Sequence, residues 1–356
     1  MSSTSTTRIR GAVGGLAFLT VLTCLAGPLV TPAQARSAAP SGLPAECADG
    51  APLTCHVDVE PGTYDVTVWL GGDAAASTGV SAETRRTMLA ETATEAGEIV
   101  RRTFTVDVRD PEGEPTGPAG TPGLDLRFEG SAPRLAGLRV TQARHAREIL
   151  IIGDSTACDQ GSIPYAGWGQ ELPQYLRGGV SVANYADGGE GTASFLYRPQ
   201  LFDNVESHVD RGDLVLIQLA HNDKSTTRDA YRANLTEMAE RVRAQDGRPV
   251  FVTPIVRRRF NSDGTLTPIA LHVTGEADLP AEMRSLAQEL DVPLIDITAL
   301  TQQLVVALGP TASRDLYLTD VTGDNTHTSV HGARTFAGLV TAELQAQHLV
   351  PDHVIR

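Results

Sequence analysis

Residues 149–158 read ILIIGDSTAC, four apolar residues running directly into Gly153, Asp154 and Ser155. A serine hydroxyl is a poor nucleophile until a base takes its proton, and the base works best when a third group orients it. TGDNTH (322–327), far along the chain, offers such a pair, with Asp324 three residues before His327. In a tight loop or one helical turn, that spacing lets the carboxylate accept from the imidazole Nδ1–H and leaves Nε2 free. Ser155, Asp324 and His327 then follow one of the chain orders of a serine triad. With nine histidines in the chain, an Asp-x-x-His pair alone marks a solvated surface as readily as a site. Acyl transfer also needs donors for the oxyanion. NYADGGEGTASF (184–195) has glycines whose N–H groups lie open to a ligand, or form only a flexible loop. LIQLAHNDKS (216–225) delivers His221, Asn222 and Asp223; the Asn222 amide is a candidate donor, and Asn-Asp is also a good turn. Cys158 reads as a small buried side chain rather than a second nucleophile.

These residues need a frame. From Glu148 onward, apolar runs at 149–153, 180–185, 213–219, 249–255 and 292–297 predict strands. Helices are expected over 169–176, 228–245, 279–290, 297–308 and 330–348. Continuous apolar strands alternating with helices predict an α/β domain whose parallel sheet is covered on both faces. Ligands in such sheets bind beyond the carboxyl ends of the strands; the candidate stretches fall after strands or, for TGDNTH, before the final helix, at one edge of the predicted sheet. Before residue 148 the pattern differs. Alternation at 62–70, 99–110, 123–130 and 135–143, separated by turn-rich stretches such as DPEGEPTGPAGTPG, predicts an antiparallel sandwich. Ser81–Ala93 fits a helix or exposed edge strands.

The blocks GDSTA (153–157), the glycine of NYADGGEG, HND (221–223) and DNTH (324–327) resemble those of SGNH-type (GDSL-like) hydrolases, and of the rhamnogalacturonan acetylesterase group above all. GWGQEL (167–172) and TPIVRRRFNSDG (253–264) are also similar to that group. The resemblance spans about residues 148–349 and implies a three-layer α/β/α flavodoxin-like fold. It further implies Ser155 as nucleophile, His327 as base and then acid, and Asp324 as its orienter. Ser155 N–H, Gly189 N–H and the Asn222 amide would form the oxyanion hole, with Gly188 adjacent to Gly189 in register. Asp154 and Asp223 would hold the loops. One departure is Glu190-Gly191, where members of the group often carry Arg-Ser. It places a negative charge near the substrate and predicts poorer tolerance of uronate-rich polymers, unless the 257–259 arginine run folds over the site. The first half resembles galactose-binding-like β-domains; Trp69 is a candidate for stacking on a sugar, and a core position is the preferred reading.

The chain has 356 residues, 41% hydrophobic and 20% charged, which suits a two-domain globular protein. Its formal charge of −14 argues against nucleic acid as a partner. Arg8 and Arg10, an apolar run at 11–27 and Ala33-Gln34-Ala35 predict a cleaved export signal rather than a membrane anchor, with Cys24 incidental. Export implies an oxidising compartment, in which Cys47 and Cys55 are expected to pair across ADGAPLT. The expected organisation is a signal peptide (1–35), a linker (36–45), a β-sandwich (46–146) and the hydrolase domain (147–350). The reading is a secreted serine esterase that removes O-acetyl groups from a plant-type polysaccharide, with no metal, no organic cofactor and no membrane partner; its oligomeric state is open. The competing readings are a lipase or thioesterase with the same triad, and a carbohydrate-binding protein with an inert hydrolase domain.

Overall fold

Alternating apolar residues build the first half of the chain in the computed structural model, which describes residues 43–356. The expected export signal and most of the linker lie outside the described residues. Eight strands run in order: β1 (Cys47–Ala48), β2 (Leu53–Val57), β3 (Gly62–Gly71), β4 (Ala76–Ala82), β5 (Arg86–Thr94), β6 (Ile99–Val108), β7 (Leu124–Ala132) and β8 (Leu135–Gln142). They form a five-stranded sheet, β1-β2-β7-β4-β5, and a three-stranded sheet, β6-β3-β8. Every pairing is antiparallel. One apolar cluster joins Leu53, Val80, Leu126 and Phe128 of the first sheet to Val66, Val68, Phe104 and Val106 of the second. The ambiguous stretch 81–93 is the turn and arms of the β4–β5 hairpin. Cys47 and Cys55 are disulfide-bonded across β1 and β2.

Trp69 departs from expectation. Along β3, Tyr64, Val66, Val68 and Leu70 face the cluster, so period-two alternation turns Trp69 to the opposite face. It is half-buried there rather than part of the core.

The second half opens with β9 (Arg147–Gly153) and continues through β10 (Val180–Asn184), β11 (Leu214–Gln218), β12 (Arg248–Val252) and β13 (Leu294–Ile295). All pair in parallel, in the order β10-β9-β11-β12-β13. This is the flavodoxin-like 2-1-3-4-5 order, whose switch point flanks the first strand. The run ILII explains itself here: Ile149 and Ile151 enter one apolar cluster, Leu150 and Ile152 the other. A strand buried on both faces has no polar side to alternate. At about 1.5–3 kcal/mol for each large apolar side chain removed from water, this strand anchors whatever follows it.

The helices are α1 (Trp168–Glu171), α2 (Thr192–Tyr197), α3 (Phe202–Glu206), α4 (Arg228–Ala244), α5 (Leu279–Glu289), α6 (Ile297–Ala312), α7 (Thr319–Thr322) and α8 (Val330–Ala346). Thr227, Asp278, Asp296 and Ser329 cap α4, α5, α6 and α8 by accepting backbone N–H bonds. The expected end of α6 at residue 308 is visible as a kink, where Gly309 takes φ 69° before Pro310. Short α2 and α3 were not anticipated. No helix among the described residues is long and apolar enough to cross a membrane.

The described residues belong to one compact unit, so β8 leads into β9 without a separating linker. Arg86, fully buried, lies 3.2 Å from the Asp159 carboxylate beyond β9 and 3.6 Å from Asp107 on β6. It also donates to the Val182 carbonyl on β10. Glu83, in the β4–β5 turn, is a buried carboxyl pushed up to about 8 by desolvation, against the pull of Arg86.

Candidate active site

The carboxyl ends of β9, β10 and β11 meet at the switch point and bring three sequence blocks together. Beyond β9, Asp154 Oδ1 accepts the backbone N–H and hydroxyl of Thr156 at 2.9 and 2.8 Å. Its Oδ2 lies 3.1 Å from His221 Nδ1, beyond β11. Burial works against the Asp154 charge, but His221 and Thr156 outweigh it and hold the carboxyl at about 2. Asp223 accepts from the backbone and hydroxyl of Thr192 after β10, and from the Thr226 hydroxyl. Both aspartates therefore tie loops together, as expected for them.

Ser155 Oγ and His327 Nε2 are 2.9 Å apart, although 172 residues separate them in the chain. His327 Nδ1 lies 2.6 Å from Asp324 Oδ2. The carboxylate can only accept here, so Nδ1 carries the proton and Nε2 is left to accept from the serine. Asp324 Oδ1 also accepts the backbone N–H groups of Thr326 and His327 at 2.6 and 3.1 Å. Burial raises this carboxyl, yet the bonds from His327 and the backbone prevail and keep it below its ordinary range. The Tyr165 ring packs 5.1 Å from the imidazole and its hydroxyl donates to the Ser155 carbonyl at 2.9 Å. The His327 and Asp324 side chains keep about 30% of their surface exposed, at 31% and 30%, so a substrate can reach them from solvent.

The donor side is equally defined. Gly188 N–H is taken by the Glu114 carboxylate at 3.0 Å. Among the described residues nothing engages the N–H of Gly189, which adopts φ 86° and is exposed. A side chain would be strained there, and the left-handed turn leaves this amide uncommitted. Asn222 donates one amide hydrogen to the Glu190 carbonyl at 3.0 Å, which pins it beside Gly189 and leaves its second N–H available. The Ser155 N–H likewise has no protein acceptor among the described residues. A serine with an oriented imidazole and uncommitted N–H donors is equipped for acyl transfer. No three His, Cys, Asp or Glu side chains converge as metal ligands among the described residues.

Two expectations are corrected. Glu190 does not present its charge to a substrate: its side chain is 4% exposed and meets Arg198 at 2.6 Å. The expected intolerance of uronate-rich polymers therefore loses its basis. The 257–259 run reaches the site but mostly supports it. Buried Arg257 donates to the His221 carbonyl and the Thr326 hydroxyl at 2.8 and 2.9 Å, joining the Asn222 and His327 loops. Arg258 donates to Asn325 Oδ1 at 2.8 Å, and only Arg259 is exposed.

Sequence reasoning missed the contribution of the β6–β7 loop. Glu114 accepts the Cys158 thiol at 3.0 Å as well as Gly188 N–H, and the Thr116 hydroxyl donates to Asp187 at 2.6 Å. Cys158 is buried as expected, its thiol pushed up by burial and then by Glu114. Arg109 donates to the Asn184 carbonyl and stacks 4.4 Å over Tyr185. Contacts across 44 to 75 residues of chain leave no local signal; GWGQEL did leave one. A Cβ on Gly167 or Gly169 would stand 2.3 or 2.5 Å from backbone oxygens of the serine loop, so α1 needs glycine to dock there.

Comparison with known proteins gives the family. Residues 151–335 match the GDSL-like Lipase/Acylhydrolase family. The chain is 36% identical over 225 residues to the rhamnogalacturonan acetylesterase RhgT of Bacillus subtilis, which covers 58% of this chain and 94% of that protein. It is 31% identical over 306 residues to the uncharacterized esterase YxiM of the same organism, covering 83% and 74%. The crystal structure of YxiM superposes with a TM-score of 0.52 at 24% identity over 87% of both chains, a likeness of fold that takes in the β-sheets of the first half.

Proposed function

The chain belongs to the GDSL-like lipase/acylhydrolase family, a carboxylic ester hydrolase of SGNH type, and from that premise we propose a secreted enzyme that removes O-acetyl groups from an acetylated plant-type polysaccharide. The observation that carries the reading is the Ser155–His327–Asp324 relay, at 2.9 and 2.6 Å, together with the uncommitted N–H groups of Ser155 and Gly189. Ser155 Oγ attacks the acetyl carbonyl as its proton passes to His327 Nε2, and the oxygen gains charge before the N–H groups of Ser155 and Gly189 and the Asn222 amide. His327 returns the proton to the leaving sugar oxygen, breaking the ester bond and leaving an acetyl-serine. A water then gives a proton to Nε2, adds to the acyl carbon, and acetate departs as Ser155 recovers its hydrogen. Asp324 stays ionised and stabilises the imidazolium throughout.

The 36% identity to a protein named as a rhamnogalacturonan acetylesterase supports the polysaccharide assignment. The Cys47–Cys55 bridge and the apolar run at 11–27 support action outside the cell. The galactose-binding-like reading of the first half is part of the same proposal. The test is acetate release from a panel of acetylated polysaccharides beside Ser155→Ala. The reading expects release from acetylated pectic chains by the native protein alone, and small-ester rates that fall steeply from two-carbon to eight-carbon acyl groups. A preference for long acyl chains would favour the lipase reading. Native ester cleavage no faster than that of the variant would favour the binding protein.

A further inference from the structure

Away from the triad, the junction of the three-stranded sheet with the parallel sheet gathers positive charge. A cavity of about 870 Å³ is lined by Arg101, Arg102 and Thr103 of β6, Asp65 of β3, Arg177, which precedes β10, and Arg356. The chain carries a formal charge of −14, and ten of the 25 arginines among the described residues pair with a carboxylate. Yet none of these four guanidiniums forms an ion pair among the described residues. Their contacts are to backbone instead: Arg102 donates to the Arg101 carbonyl, Arg177 to the Ile355 carbonyl and Arg356 to the Thr103 carbonyl. They crowd one another, since desolvation and then Arg177 and Arg102 pull Arg356 down to about 10. The one acidic side chain of the lining, Asp65, accepts the Thr105 hydroxyl at 2.6 Å. Beside the cavity, Trp69 stands opposite Arg101 in the β3–β6 register and opposite Gly137 of β8, which has no side chain to cover it.

We propose that this groove, with Trp69 at its rim, anchors a polysaccharide that bears uronate carboxylates. Guanidiniums pair with carboxylates in a bidentate fork, a half-exposed indole stacks on a sugar face, and Thr103 and Asp65 offer polar contacts to ring hydroxyls. A phosphate polymer would use the guanidiniums but not the indole or the acid. The groove is remote from the chemistry. Arg177 and Gly179 lead into the amino edge of the sheet, whereas Ser155 follows the carboxyl end of β9, a strand of 7 residues. At roughly 3.3 Å per residue the two lie about 20 Å apart, beyond a Debye length of ~8 Å at physiological salt. Charge removed here leaves the triad untouched, while a polymer held at the groove sees Ser155 at raised effective concentration.

This rests on the reading that the substrate is a glycan, but its test does not need turnover. The full-length protein is run in affinity gels containing polygalacturonate, neutral galactan or polyphosphate. The native protein is expected to be retarded by polygalacturonate and not by galactan. Arg101→Gln/Arg177→Gln and, separately, Arg102→Gln/Arg356→Gln weaken that retardation by about tenfold or more. Trp69→Ala weakens it severalfold. All three variants hydrolyse a small acetate ester within about twofold of native, which verifies folding and the triad. Absence of native retardation, or native retardation in both arginine doubles, overturns the proposal. Equal retardation by polyphosphate overturns its uronate assignment. Loss of esterase activity in the native protein with retardation intact would fail the function above and leave the groove standing.

Discussion

Glu114→Ala is the perturbation that best separates this architecture from an isolated α/β hydrolase with a passive neighbour. Glu114 belongs to the β6–β7 loop, yet its carboxylate holds Gly188 N–H and the Cys158 thiol, each at 3.0 Å. One bond fixes the loop that carries Gly189, the other the turn after Ser155. A hydrogen bond to a charged group contributes about 1.5–3 kcal/mol, but Gly188 is exposed and water replaces its partner, so the net loss of stability should be about 1–2 kcal/mol. The larger effect is positional. Deleting an oxyanion donor costs about 10²–10³ in kcat, and misplacing a group by about 1 Å costs about 10²-fold. A loosened Gly189 should fall short of either, giving a ten- to hundredfold fall in kcat, by the same reasoning. KM for a small acetate ester should move less than about threefold, because the donors act on charge that exists only in the transition state. Glu114→Gln keeps an oxygen for Gly188 and should recover most of the rate. Steady-state kinetics on folded variants, matched by thermal melts, decide the matter. Native kcat in Glu114→Ala, or no recovery in Glu114→Gln, would refute the coupling.

Three further outcomes follow from the same geometry. Asp324→Asn should lower kcat by about 10³-fold with KM nearly unchanged, because an amide can donate to Nδ1 and so favour the wrong imidazole tautomer; a fall below tenfold in steady-state assays would contradict it. Asn222→Ala should cost about 10–100-fold in kcat, less than a fully buried donor because its side chain is exposed, again without a matching rise in KM. Glu83 is held up at about 8 in the folded chain against an ordinary 4.5, so its contribution to stability is full below pH 4.5 and disappears as pH rises through 8. That difference is on the order of a few kcal/mol. Glu83→Gln should therefore flatten the decline in Tm between pH 5 and pH 8.5, a comparison that thermal melts make directly; parallel curves for native and variant would contradict the assignment.

What could be read from sequence was whatever local pattern encodes. Ile149–Ile152 announced a strand buried on both faces, and three-residue spacing announced the Asp324–His327 pair. The β4–β5 hairpin was ambiguous because its threonines, arginines and glutamates suit a helix surface as well as half-exposed strands. Trp69 lies off the core because alternation along β3 sets it on the face of Asp65 and Thr67, which its size alone does not reveal. Glu190 was misjudged because residue type gives a charge but not its direction; Arg198, eight positions on, turns that charge inward. Glu114 and Arg109 were invisible as site-supporting residues, since their partners lie 44 to 75 positions away and no short window contains both ends.

The central claim is that the Ser155 hydroxyl carries the acyl group. An activated acetate ester mixed briefly with the enzyme, quenched in acid and mapped by peptide mass spectrometry tests it most directly. The account predicts one added acetyl group on the peptide containing Ser155, absent in Ser155→Ala, which should also lose nearly all hydrolysis. Acetyl on a different side chain, or undiminished turnover in Ser155→Ala, would contradict it.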